Sequence, residues 1–168
     1  MNKEKVDNEA VIDDFSKYKY IFPPNAREQE QLDIMMNLEN NNLDPLAPDV
    51  IEQEILFSTD YWYISKNRFP YKGVEHQFLI ASYYPIYKLE DMSKEMWDDL
   101  VKVWLTLTKE FNIPGGALCF RFGDPSLSGA SLTRLHAHLI KPYEEEKTKF
   151  TIGGHKTLKK GLYLKDNQ

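Results

Sequence analysis

A single cysteine, Cys119, stands among the 168 residues, so no intramolecular disulfide can form and the cysteine clusters of structural zinc sites are excluded. Its apolar surroundings, Gly-Ala-Leu-Cys-Phe, predict a small buried thiol. No apolar run approaches the roughly 18 to 20 residues that span a bilayer. Residues 1–10 mix acids and bases without the apolar stretch of a secretory signal. A cytoplasmic chain without membrane contact is therefore expected. Positive charge is also short: 21 Lys and Arg face 26 Asp and Glu, a net charge of −5. A nonspecific nucleic-acid binder needs the opposite balance, so nucleic acid is not an expected partner. A small phosphorylated ligand needs only a few well-placed donors and remains compatible. There is no internal repeat.

What the chain does have is the 42% apolar and 13% aromatic content of a folded protein, at a length suited to one principal domain. Residues 1–46 read as a polar extension, ending in the turn formers Asn-Asn-Asn-Leu-Asp-Pro. A short helix is expected within it over Ala26 to Leu38. Residues 47–142 read as the core domain and 143–168 as a charged tail. In the core, Glu52 to Thr59 and Tyr61 to Lys66 predict a hairpin, Gln77 to Ser82 a third strand, and Ala117 to Phe122 and Arg134 to Ile140 two more. Between them, Trp97, Leu100, Val101, Trp104, Leu107 and Phe111 recur at helical spacing, predicting one long helix from Ser93 to Phe111 with Ser93 as its N-cap. One further strand is conceivable at Lys149 to Ile152.

The chemistry concentrates in Ser131 to Ile140, Ser-Leu-Thr-Arg-Leu-His-Ala-His-Leu-Ile. Side chains alternate along a strand, so His136 and His138 share one face. The small residues Gly129, Ala130 and Ser131 precede them, and their backbone N–H groups and hydroxyl can approach an anion closely. A neutral imidazole can attack phosphorus when its second nitrogen donates a hydrogen bond that fixes the tautomer. His136 is the candidate nucleophile and His138 the candidate donor to a nonbridging oxygen. A zinc half-site is the competing reading of a His-x-His pair, but His76 and His155 lie at no ligand-like spacing. His155, beside Gly153, Gly154 and several lysines, reads as solvated.

Taken together, these residues resemble the histidine triad family of nucleotide hydrolases and transferases, whose signature is His-φ-His-φ-His-φ-φ with φ apolar. The matching segment is Arg134-Leu135-His136-Ala137-His138-Leu139-Ile140, with Gly129-Ala130-Ser131 in register ahead of it. The likeness extends over roughly residues 50 to 142. It implies an α+β fold: an antiparallel sheet of about five strands with one long helix packed on it. It also implies a homodimer and a purine nucleotide substrate, cleaved at the α-phosphate of a phosphoramidate or dinucleoside polyphosphate through a nucleotidyl-histidine intermediate. No cofactor or resident metal is implied. His136, His138 and Ser131 carry over as catalytic residues, and Asn67 as the ribose contact. Gly129 and Ala130 line the phosphate.

Three positions depart from the pattern. Arg134 replaces the first histidine, Gln77 replaces a histidine on the neighbouring strand, and Arg121 stands where asparagine is common. Arg134 then has two readings, a phosphate-binding catalytic residue or a structural ion pair with an acid such as Asp124. Gln77 and Arg121 are candidate substrate contacts. Tyr61, Trp62 and Tyr63 lie where a purine wall is expected, although core packing explains them as well. A catalytically weakened nucleotide-binding module on the same fold is the alternative function.

Overall fold

The computed structural model describes residues 14–154 and 157–165, so His155 lies outside the described residues. Five strands form one sheet: β1 (Ile55–Ser58), β2 (Trp62–Lys66), β3 (Val74–Ser82), β4 (Ala117–Arg121) and β5 (His136–Pro142). Their order is β1-β2-β3-β5-β4, and every neighbouring pair is antiparallel. Helix α1 covers Gln29–Asn40, α2 covers Lys94–Glu110, and the single turn α3 covers Pro125–Ser128. The architecture is α+β, an open antiparallel sheet with the long helix α2 laid on one face.

Alternation along the strands gives the sheet two different faces. Trp62, Ile64, Phe78, Ile80, Ala137 and Leu139 turn one way and bury against Met96, Leu100, Val103 and Leu107 of α2. Each fully buried apolar side chain contributes about 1.5–3 kcal/mol. The Trp62 indole N–H donates to the Met96 carbonyl at 3.0 Å, fixing α2 to the sheet without leaving a buried donor unpaired. Ser93 caps the helix, its hydroxyl accepting from the Met96 N–H at 3.3 Å.

The buried stripe of α2 is rotated from the one the sequence suggests. Trp97 and Val101 are 37% and 46% exposed, while Met96 and Val103 point inward. This helix carries apolar residues on more than one side, and the sheet selects among them. Lys149 to Ile152 forms no strand, because the Thr151 carbonyl accepts from Arg121 and the Phe150 ring packs on Tyr71 rather than joining a ladder. Among the described residues no helix is long and apolar enough to cross a membrane.

On the sheet's second face lie Tyr63, Leu79 and Ala81, covered by Leu46 and Ile51 of the segment ahead of β1. Next to this patch the two ends of the described chain meet. Leu158, Leu162 and Leu164 pack on Ile21, Leu32 and Met35. Gln29 and Tyr163 exchange hydrogen bonds, and Lys165 pairs with Asp33 at 2.5 Å.

Candidate active site

His136 and His138 open onto a cleft of about 870 Å³ on this second face. Their rings lie 5.2 Å apart and nearly perpendicular, and both residues are buried. The His136 Nδ1 lies 2.7 Å from the Arg134 carbonyl oxygen. A carbonyl can only accept, so Nδ1 carries the proton and Nε2 keeps a lone pair. His138 has the opposite arrangement. The Tyr71 N–H donates to Gln77 Oε1 at 2.7 Å, which orients the amide so that its NH₂ lies 3.4 Å from His138 Nδ1. That nitrogen then accepts, and His138 carries its proton on Nε2. One ring thus offers a nucleophile and its neighbour a donor.

Gln77 therefore supports the histidine pair from β3, although it does not line the cleft itself. His76 faces the other way, stacking on Phe78 and meeting Phe111 at the end of α2 edge-on.

Burial holds both imidazoles below the ordinary histidine range, His138 well below, with the neighbouring His136 ring and the Arg121 and Arg27 guanidiniums adding to the effect. The neutral form is the deprotonated one, so a lowered value extends the competent state toward acid. Turnover should stay level as pH falls through about 6.5 and decline only at lower pH, as read from a kcat/KM profile. An acid limb with its midpoint at or above 6.5 would contradict this. Stability should fall over the same range, because below 6.5 the unfolded chain binds protons that the native imidazoles refuse.

The approach to β5 is braced by the N-terminal segment. Asp124 caps α3 through the Ser126 N–H at 2.8 Å, and Gly129 ends the turn at φ +75°. A Cβ there would come within 2.5 Å of the Arg121 guanidinium and 2.7 Å of the Gly153 carbonyl, so glycine is required twice over. The Asn25 amide donates to the Ala130 carbonyl at 2.7 Å, and the Phe22 N–H to the Ser131 carbonyl at 2.8 Å. Ile21 bridges to Leu132. Gly129, Ala130, Ser131 and Asn67 all line the cleft with the two histidines.

Arg134 does not. Its Nε lies 2.9 Å from Asp44 Oδ2 in a buried ion pair, and its Nη1 donates to the Ser82 and Tyr83 carbonyls. The residue precedes the paired part of β5, and its side chain goes to the N-terminal segment instead of the ligand space. The catalytic reading of this guanidinium is thereby corrected. What Arg134 offers the site is its backbone carbonyl. Asp124, bound to its own helical turn, is not the partner.

The expected aromatic wall is also displaced. Trp62 faces α2, and the Tyr63 hydroxyl is spent on the Leu46 carbonyl at 2.9 Å. The apolar lining comes instead from Ile34, Met35 and Leu38 of α1, with Val50, Phe69 and Leu132. Three arginines line it as well, of which Arg68 is paired with Glu30 and Glu52. Arg121, opposite His136 in the β4–β5 register, donates to the Ser128 and Thr151 carbonyls. Arg27, overlooked in the sequence, enters from just ahead of α1 and lies over the Tyr71 ring at 4.2 Å. Its only local sign is being the sole arginine of the extension. Among the described residues, no three His, Cys, Asp or Glu side chains gather to hold a metal.

No protein-family profile and no curated relative match this chain. Solved structures do. A Hit-like protein involved in cell-cycle regulation from Bartonella henselae aligns at 17% identity and TM-score 0.50, covering 62% of this chain and 80% of its own. A zinc-bound histidine triad family protein from Mycobacterium smegmatis aligns at 11% identity and TM-score 0.50, covering 64% and 78%. A hypothetical protein from Leishmania major aligns at 18% identity with the same score, covering 75% and 82%. The fold is that of the histidine triad proteins.

Proposed function

We propose that this chain is a histidine triad nucleotide hydrolase or nucleotidyl transferase that acts at the α-phosphate of a purine nucleotide. The observation that carries this reading is the 2.7 Å contact between His136 Nδ1 and the Arg134 carbonyl, which leaves Nε2 as the nucleophile. Nε2 attacks phosphorus, and the bond to the leaving group breaks with its electron pair. The carbonyl stabilises the imidazolium that forms. His138 Nε2–H and the Ser131 hydroxyl donate to the nonbridging oxygens, a contribution worth roughly 10²–10³ in rate for a single such donor. Water then cleaves the P–N bond and returns His136 to its starting tautomer. Asn67 contacts the ribose, and the apolar side of the cleft takes the base.

The test is intact-mass detection of a nucleotidyl adduct after incubation with nucleoside phosphoramidates and dinucleoside polyphosphates. Adduct or turnover is expected in the wild type. Nucleotide binding with neither would favour the weakened module, a reading supported by the withdrawal of Arg134 from the cleft.

A homodimer belongs to the same proposal. β4 is an edge strand among the described residues, and Trp97, Val101 and Leu105 stand exposed on α2. Leu105→Glu should shift a dimer toward monomer in sedimentation, and a wild type that is already monomeric would refute the arrangement.

A further inference from the structure

We infer that the cleft contains a second anion subsite, formed by Arg27 over the ring of Tyr71 and Arg121 at its hydroxyl, which holds an oligophosphate leaving group. The assignment of the bound group as a leaving group rests on the nucleotidyl-transfer reading above.

The four arginines of the chain divide into two kinds. Arg68 pairs with Glu30 and Glu52, and Arg134 pairs with Asp44. Arg27 and Arg121 have no carboxylate within 4 Å among the described residues. Yet Arg121 is 9% exposed and Arg27 is half-buried. Cations removed from water are ordinarily matched by an anion.

Tyr71 joins the two. Arg27 lies over its ring, and the Tyr71 hydroxyl accepts from Arg121 Nη2 at 3.2 Å. The Arg121 guanidinium also lies over the Phe150 ring at 4.0 Å. Backbone carbonyls take some of the donors: Phe69 for Arg27, Ser128 and Thr151 for Arg121. A guanidinium has five N–H groups, so each retains donors: Arg121 keeps its Nε–H and one Nη1–H, and Arg27 gives only one bond among the described residues, to the Phe69 carbonyl. Burial pushes Arg27 below its ordinary value, an effect that Tyr71 and Glu28 oppose and the neighbouring Arg121 reinforces. The exposed lysines Lys147, Lys149 and Lys159 line the same cleft. Glu28, Glu52 and Glu146 also line it, yet the cations, with Arg68 and Lys72 among them, outnumber the carboxylates in a chain whose net charge is −5.

The chemistry favours an oligophosphate over an amine at this place. When the bond from the α-phosphorus to the bridging oxygen breaks, the electron pair stays on that oxygen and the departing chain gains one negative charge. Fixed cations stabilise that charge as it develops. An amine must acquire a proton as it leaves, and the burial that keeps both imidazoles neutral makes them poor acids for that purpose.

Two measurements test this. The first is calorimetric binding of inorganic tripolyphosphate to wild type, Arg27→Gln and Lys149→Gln, with thermal melts to check folding. Affinity should fall at least tenfold in Arg27→Gln and about threefold in Lys149→Gln, whose exposed side chain has no packing role to lose. The second compares kcat/KM on a diadenosine tetraphosphate and on adenosine 5′-phosphoramidate. Arg27→Gln should lose at least tenfold more on the tetraphosphate. No tripolyphosphate binding, unchanged affinity in both variants, or equal losses on the two substrates would each overturn the subsite in this role. Tripolyphosphate binding that responds to both substitutions, without turnover of either nucleotide, would keep the anion site and remove the enzymatic reading.

Discussion

His136→Ala is expected to eliminate the nucleotidyl adduct and lower turnover by roughly 10⁴-fold or more, the scale on which enzymes lose a covalent nucleophile. Among the described residues no substitute is at hand. His138 is the nearest imidazole, but its Nδ1 faces the Gln77 amide and its Nε2 carries the proton. Taking over would require both a tautomer change and the loss of that contact. The variant should still bind nucleotide, because Asn67, Ser131 and the apolar lining are untouched. Mass spectrometry with titration of a nonhydrolysable nucleotide separates the two effects. Turnover within tenfold of wild type would remove His136 from the nucleophile's role.

The largest effect on stability is expected from Arg134→Met. It leaves Asp44, 8% exposed, with only the Tyr87 hydroxyl and the Leu46 N–H as partners among the described residues. Breaking a buried ion pair from one side costs about 3–5 kcal/mol, mostly the penalty of an uncompensated charge. For a domain of this size that lowers Tm by on the order of 10 °C. The double variant Arg134→Met with Asp44→Asn removes the stranded charge and should recover a large part of the loss. A single variant melting within about 2 °C of wild type, or a double variant melting below the single one, would show that the pair does not have this energetic role. Thermal unfolding followed by circular dichroism is sufficient to decide.

The histidine strand was legible because its information is local. Period-two alternation placed His136 and His138 on one face, and the small residues Gly129, Ala130 and Ser131 marked the border of the cleft ahead of them. The single strands and the long helix followed from patterns of similarly short range, while their assembly into one antiparallel sheet was implied by the family resemblance. For Arg134 the ion-pair reading held and the partner was missed, for the complementary reason. Its acid is Asp44, 90 residues away, while the sequence drew attention to nearby Asp124. Asn25 and Ala130, 105 residues apart, carry no mutual signal either. Arg27 looked like one polar residue in a polar extension until α1 folded over the cleft. The buried stripe of α2 was shifted because apolar residues occupy several sides of that helix, and only the partner surface decides which of them are core.

The two ends of the described chain, clasped through Leu32, Met35, Leu158 and Leu162, have a consequence for how such a protein can change over generations. His136, the proposed nucleophile, belongs to an inner strand whose neighbours on both sides restrict substitution. Arg27, Lys147, Lys149 and Lys159 belong to peripheral stretches that carry no part of the sheet. Selection can therefore rework what the cleft accepts by editing its borders while the reacting group stays fixed, so that new preferences arise without passing through an inert ancestor.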